Sequence, residues 1–405
     1  MRSSAVFLIA LFIALAACAA QPAPAFFGAA PGALLETKSR LARGDPSLAL
    51  AIEKLKLDAH RALEVHPPSV MDKTSLPPSG DKHDYLSVGP YFWPDPASSN
   101  GLPYIRHDGR VNPHTRGGAF DHRSIGRMGG LVETLALAYY FTGNEAYAQC
   151  AALCLRAWFL DPATRMNPNF NYAQAVPGIT EGRGTGIIEA RGIAQAADAA
   201  QLLAGSPAWT AQSDAALKVW LNSFLDWLLT SKNGRAEAAA RNNHGTFYDA
   251  LVVRLALVLG KTKLARAVAE AAKEKRIAAP ILPDGRQPRE LARTASLGYC
   301  RFNTEALFEL ATLAQYTAVD LWHYQTPDGR SMRKALDFLL PFIGPGAKPW
   351  PYQQIRRINA ADFAPLLRQA ALAYGDPVFE ALLHKLPGAD SSRFQLLCPS
   401  VGPQN

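Results

Sequence analysis

The chain has 405 residues, 48% of them hydrophobic and 19% charged, enough apolar material for a real core, which excludes a disordered or low-complexity protein. Lys and Arg number 42 against 34 Asp and Glu, a net charge of +8 and a pI near 9.2. The basic residues never gather into a block of five, so a nucleic-acid-binding arm is excluded; a generally basic surface or a small acidic ligand or polyanion as partner remains.

At the N-terminus, Met1-Arg2-Ser3-Ser4 precedes an unbroken apolar run from Ala5 to Ala17. A charged start, a short apolar segment and small residues predict a signal peptide over residues 1–20, too short for a spanning helix. Leu15-Ala16-Ala17-Cys18 has the form of a bacterial lipobox, in which Cys18 carries a lipid anchor; cleavage after Ala20 or Ala25 is the alternative. Either way the expected location is outside the cytoplasm, in the periplasm or anchored to the outer membrane. The remainder, about residues 30–400, is expected to form a single domain. Cys150 and Cys154, spaced i,i+4 on one helix, sit about 5–6 Å apart at Cβ, too far for a disulfide, and are expected to be core thiols. No C-x-x-C or H-E-x-x-H occurs, so neither a metal nor another cofactor is expected.

Beyond residue 30 helical periodicity dominates. The first helix is predicted over 33–65. In Arg127–Tyr140, Met128, Leu131, Val132, Leu135 and Tyr139 form one apolar stripe that stops at Thr142-Gly143-Asn144. A second helix follows, burying Ala148, Ala151, Ala152, Leu155 and Phe159 before Asp161-Pro162 ends it. Further helices are predicted at 186–204, 213–230, 245–260, 262–276, 303–318, 330–343 and 359–385, the last divisible at Gly375. So many antiparallel helices imply an all-α fold, an (α/α) toroid or incomplete barrel of helix pairs whose long loops line a cleft or tunnel.

Two segments resist helix. Residues 66–124 carry Tyr91-Phe92-Trp93-Pro94-Asp95-Pro96 and His107, His114 and His122; residues 161–184 carry Asn169-Phe170-Asn171-Tyr172-Ala173-Gln174. Loops this long and aromatic in a compact chain point to function, and rigid rings beside amides suit sugars. Tyr91, Trp93, Asn171, Tyr172 and Gln174 are therefore candidate substrate contacts, with Trp350-Pro351-Tyr352-Gln353 as a further wall. Packing is the plain alternative for each.

Two motifs carry chemistry. Arg241-Asn242-Asn243-His244 immediately precedes a helix, where Asn and His at the positive end of the dipole seat a carboxylate; simple N-capping is the alternative for one Asn. Glu290-Leu291-Ala292-Arg293 leads to Tyr299, six residues after Arg293, and a loop would bring the two onto one ligand. Otherwise Arg293 pairs with Glu290 and Tyr299 is core.

Tyr91–Pro96, Asn242-Asn243-His244 and the Glu290–Tyr299 segment, in that order over about residues 65–355, resemble the alginate lyase superfamily of bacterial polysaccharide lyases, helical toroids that cleave uronic-acid polymers. The resemblance implies that Asn243, His244 and Arg293 neutralise the uronate carboxylate, that Tyr299 moves the protons, that Asn242 joins the substrate contacts, and that an acidic polysaccharide is the partner. The sequence looks closer to the glucuronan- and alginate-cleaving branch than to the mannuronate-specific one. In β-elimination the C5 proton becomes acidic only when that carboxylate is neutralised, and Tyr299 acts as base only if positive charge from Arg293 and His244 favours its phenolate. Proton removal from the opposite ring face would call on a separate base such as His244. Two competing readings are a glycan-binding lipoprotein without catalysis, and an inverting glycoside hydrolase drawing on Glu181, Glu189 or Asp249, whose paired carboxylates must stand about 6.5–9.5 Å apart.

Overall fold

The computed structural model describes residues 25–386, 388 and 393–399. The expected signal peptide and Cys18 lie outside the described residues. Among these, no helix is long and apolar enough to cross a membrane.

Helix α1 (Ala33–Ala42) and helix α2 (Ala49–Ala62) replace the single helix expected over 33–65. The break falls at Gly44, with φ 75°, and at Pro46, which opens a short turn capped by the Asp45 side chain, because a left-handed residue followed by proline cannot propagate the helix. Helix α3 (His122–Thr142) ends on left-handed Gly143 and α4 (Glu145–Leu155) begins on the Asn144 cap, the αα-hairpin expected from the pattern. Then come α5 (Arg191–Ala199), α6 (Ala211–Thr230), the short α7 (Lys232–Ala238), α8 (Asn243–Val258), α9 (Thr262–Ala272), α10 (Pro288–Leu291), α11 (Ser296–Ala314), α12 (Met332–Leu339), α13 (Ala364–Tyr374) and α14 (Pro377–Leu383). The last two are divided at Gly375, as the sequence allowed. Helix α11 starts seven residues before its predicted Asn303, since Ser296–Phe302 had been read as loop.

The inner wall is a series of neighbours, α3 on α5, α5 on α8, α8 on α11 and α11 on α13. Outer helices back them: α2 and α4 on α3, α9 on α8, α12 on α11, α14 on α13. Helix α8 is buried on every side from Gly245 to Val258, and its two charged side chains are each met by an ion pair, Asp249 by Arg276 and Arg254 by Asp198. Where α3 meets α5 the backbones nearly touch: a Cβ on Gly129 would lie 2.6 Å from the Gly192 carbonyl, so no larger side chain fits. The ring of contacts closes at the ends of the described chain, where the Tyr316 hydroxyl meets the Phe26 and Ala29 carbonyls at 2.9 Å and the turn Arg393–Leu396 rests on α2. The inner helices enclose a chamber of about 640 Å³.

The segments that resisted helix lie together over one end of the toroid. One small sheet joins them, β1 (Leu86–Val88) parallel to β4 (Tyr172–Ala175), and a second lies within the first segment, β2 (Phe92–Trp93) antiparallel to β3 (Ile105–Arg106); the sequence signals neither. Cys154, Cys300 and Cys398 are buried free thiols; Cys150 is half-buried and also free.

Candidate active site

The Asn242-Asn243-His244 motif starts α8, but neither Asn caps it with its side chain. The free amide of Asn243 is met instead by Glu290 of α10, which accepts the Asn243 backbone N–H and its Nδ2–H, both at 2.7 Å. A remote carboxylate thus supplies the cap expected of an Asn. Asn243 is buried, and its Oδ1 has no partner among the described residues. Next to it the His244 ring meets Glu237 of α7, Nδ1 to Oε1 at 2.7 Å. The turn between α7 and α8 is clamped by Arg276, which donates to the Ala238 and Ala240 carbonyls and to both oxygens of Asp249. A side chain at Gly245 would collide with that clamp, its Cβ falling 2.0 Å from the Ala240 carbonyl.

The second motif folds back on itself. Helix α10 ends at Leu291 and α11 starts at Ser296, and in the bend between them Arg293 lies over the Tyr299 ring, 3.7 Å from its centroid, with Nη2 2.7 Å from the phenol oxygen. Arg293 does not pair with Glu290; its partner is Asp108, which takes Nη2 at 2.6 Å and also binds the Thr294 backbone. Burial pushes the Asp108 carboxyl up, but the hydrogen bonds from Arg293 and Thr294 prevail and hold it at about 2.

Tyr91 is 2.6 Å from Tyr299, hydroxyl to hydroxyl. Expected only as a sugar contact, it is the immediate partner of the candidate proton carrier. Burial, together with the charge and hydrogen bond of Tyr91, holds the Tyr299 phenol well above its ordinary range against the opposing pull of Arg293. The protonated phenol is therefore the favoured form of Tyr299: burial and Tyr91 outweigh the pull of Arg293, the positive charge on which a phenolate would depend.

These residues face a cleft of about 480 Å³. Arg106, Arg116, Arg183, Arg191 and Arg293 line it with His122 and His244, and Glu189 is the one carboxylate among its lining residues. Burial raises the Glu189 carboxyl, but His122, Ser87 and Tyr85 more than offset it, so it is held below its usual range. Gln174 links this carboxylate to Arg183, donating to Glu189 at 3.1 Å and accepting from Arg183 through its carbonyl at 2.9 Å and its side chain at 3.0 Å. It does so with φ 46°, a costly backbone state for a residue other than glycine and one found where surroundings over-determine it.

Of the ten residues singled out from sequence, Asn242, Asn243, His244, Arg293, Tyr299, Tyr91 and Gln174 line this one cleft. Trp93, Asn171 and Tyr172 do not line it: Trp93 donates to the Arg110 carbonyl, Asn171 accepts from Trp227, and Tyr172 is spent on the β1–β4 pair. The wall expected from Trp350 is likewise turned inward, its Nε1 donating to Ser296. For the hydrolase reading, Asp249 is consumed by Arg276 and Glu181 is exposed outside the cleft, leaving Glu189 without a second carboxylate among the cleft's lining residues. Sequence reasoning missed Asp108, Glu237 and four of the arginines, and set Glu290 against Arg293 and not against Asn243. The available signal was the placement of Arg106, Arg116 and Arg183 in the two long loops, away from any amphipathic helix face.

Comparison with known proteins agrees with this geometry. The alginate lyase family profile matches residues 69–350. A crystal structure of an alginate lyase from Bacteroides ovatus superposes with a TM-score of 0.88 at 40% identity, covering 93% of this chain and 99% of that one. Alginate lyase A1-III from Sphingomonas species A1 superposes at 0.57 with 16% identity, covering 93% and 98%, a likeness of fold. A search of curated protein sequences finds no match. With the profile spanning most of the chain and a solved relative at 40% identity over nearly its whole length, the chain belongs to the alginate lyase family and is a polysaccharide lyase built as an (α/α) toroid.

Proposed function

We propose that the protein cleaves a uronic-acid polymer, alginate first among the candidates and glucuronan next, by β-elimination in the cationic cleft. The observation that carries this reading is the Arg293–Tyr299–Tyr91 strip, with the phenol 2.7 Å from the guanidinium and 2.6 Å from the second hydroxyl, facing a wall of arginines. The B. ovatus relative is described as an alginate lyase, and a variant of the Sphingomonas enzyme has been solved with a tetrasaccharide, which supports a substrate of this class.

In this scheme the uronate carboxylate sits among His244, Arg293 and the remaining Asn243 amide hydrogen, and the charge that builds on it as C5–H breaks is stabilised by ~3–4 kcal/mol per well-placed donor. Tyr299 takes the C5 proton, the C–H electron pair forms the C4–C5 double bond, and the C4–O4 bond breaks with its electrons leaving on O4. The same phenol then returns a proton to O4. Because Tyr299 rests as a phenol, it must first pass its proton to the Tyr91 hydroxyl oxygen while Tyr91 releases its own to water, and the stacked Arg293 lowers the cost. Activity that needs this phenolate rises with pH over the neutral to alkaline range. We further propose export through the N-terminal signal segment and anchoring through lipidated Cys18, on the pattern of residues 1–20.

The test is ultraviolet absorbance of the conjugated product during incubation with alginate, polymannuronate, polyguluronate and glucuronan. A rise on at least one polymer is expected, reduced about 10²–10⁴-fold in Tyr299→Phe with the fold intact. Silence of the wild type on all four, or full activity of Tyr299→Phe, overturns the reading.

A further inference from the structure

Glu237 is a carboxylate 2% exposed whose side chain has one hydrogen-bond partner among the described residues, the His244 ring. That is an expensive arrangement. Buried carboxylates are normally met by a full cation or several donors, as the same neighbourhood illustrates: Asp249 takes two bonds from Arg276, and Glu290 takes two from Asn243. Glu237 gives its single bond to a ring that is itself partly open to the cleft, its side chain 18% exposed. A purely structural carboxylate gains little from such a partner, whereas a histidine that works in a cleft gains a defined tautomer and orientation.

We propose that Glu237 is a positioning residue for the elimination, holding the His244 proton on Nδ1 so that Nε2 is reserved for the ligand in the cleft. A carboxylate accepts and cannot donate, so Nδ1 carries hydrogen in both protonation states of the ring. Nε2 is then a donor to the uronate carboxylate when the ring is charged and a lone pair when it is neutral. The frame is rigid on both sides: Glu237 lies one residue before the carbonyl that Arg276 clamps, and His244 one residue before the glycine packed against the same clamp. The other charged or titratable groups around His244 are Glu290 of α10, Arg293 and Tyr299 across the cleft, and Arg183 from the loop before α5. None of them replaces the hydrogen bond at Nδ1. Two adjacent site residues thus each rest on their own buried carboxylate, Asn243 on Glu290 and His244 on Glu237.

This inference rests on the lyase reading for its kinetic consequence but not for its structural one, and the experiment separates the two. Long-range ¹⁵N spectra of the imidazoles, with the His244 signal identified by its loss in His244→Ala, are recorded on the wild type, Glu237→Gln and Glu237→Ala beside kcat, KM and thermal midpoints. The wild type is expected as the Nδ1–H tautomer. Glu237→Gln keeps an acceptor at Nδ1 and so keeps the tautomer. Glu237→Ala shifts the ring toward Nε2–H and lowers kcat roughly 10²-fold with KM within a few-fold. A wild-type ring in the Nε2–H form, an unchanged tautomer in Glu237→Ala, or a loss of activity that only follows the folded fraction overturns the proposal. Should the wild type cleave no polyuronate, the lyase reading falls and the tautomer comparison still decides the role of Glu237.

Discussion

In the chamber inside the toroid, Arg254 stands 2.7 Å from Asp198 and 3.0 Å from Glu309, and Arg393 stands 3.1 Å from Glu133. In the cleft that shares its His122, Glu189 and Arg191 wall, cations are treated differently. Arg116 and Arg191 have no carboxylate within ion-pair distance among the described residues, and Arg183 is held by the carbonyl and amide of Gln174. Both cavities carry charged side chains, yet the chamber pairs Arg254 and Arg393 with carboxylates, whereas the cleft, where Arg106 and Arg293 share Asp108, keeps Arg116, Arg183 and Arg191 without a carboxylate at ion-pair distance among the described residues. A guanidinium matched to a protein carboxylate is structure; one held in place by neutral acceptors or aromatic rings, as Arg183 is over Phe92 at 4.8 Å and Arg191 over Phe247 at 4.4 Å, is available to a polyanion.

The largest effect is expected from removing a chamber cation. Arg254→Ala leaves Asp198, fully buried, without its counter-ion, at a cost of about 3–5 kcal/mol, read in chemical denaturation, while the rate constant of the folded enzyme stays close to wild type. Burial already lifts the Asp198 carboxyl to about 6 despite Arg254 and the Phe27 N–H. Without Arg254 it rises further, so the folded state holds a proton that the unfolded state releases. The deficit therefore grows as pH increases through and above 6 and shrinks below it. A deficit independent of pH would show that Asp198 is not the group left uncompensated.

A smaller effect is expected at the hinge between the two kinds of arginine, where Arg293 has both a structural and a chemical partner. Asp108→Asn frees the guanidinium to leave the Tyr299 ring, lowering kcat about 10-fold or more. Asp108 is depressed from 3.8 to about 2, so the stability it contributes is complete above its unfolded value and is lost as pH falls through its folded one. The melting-temperature gap between wild type and Asp108→Asn should be constant at neutral pH and close between about 4 and 2. A gap that persists at the acid end would refute the ion pair as its source.

The smallest effect is expected for a cleft cation with no protein partner. Arg116→Ala should raise KM a few-fold with kcat unchanged and flatten the dependence of kcat/KM on ionic strength, since the lost interaction is with polymer charge alone. Destabilisation comparable to that of Arg254→Ala would mean that Arg116 serves the fold after all.

How far each part was legible follows from the span of chain it depends on. The helix pairs were readable because a 3.6-residue stripe and its stops, such as Thr142-Gly143-Asn144, are local. The same holds for Asn242-Asn243-His244 and the Arg293–Tyr299 segment, each contained within a few residues. The split at Pro46 is carried by local residues too, Gly44 and Pro46, whereas the start of α11 at Ser296 depends on a distant segment, since Gln353 and Gln354 accept the Ser296 and Leu297 N–H groups.

The sequence by itself determined an all-α chain of paired helices, two aromatic loops without helical character, and the short strings that hold Asn243, His244, Arg293 and Tyr299. Tertiary structure decided what those residues meet: Tyr91 at 2.6 Å from Tyr299, Asp108 on Arg293, Glu290 on Asn243 and Glu237 on His244. It also decided which arginines stay unpaired. Periodicity reports which face of an element is buried, but the pairing of charges and hydrogen bonds across distant segments depends on how the toroid closes, and burial then sets whether a phenol such as Tyr299 keeps its proton.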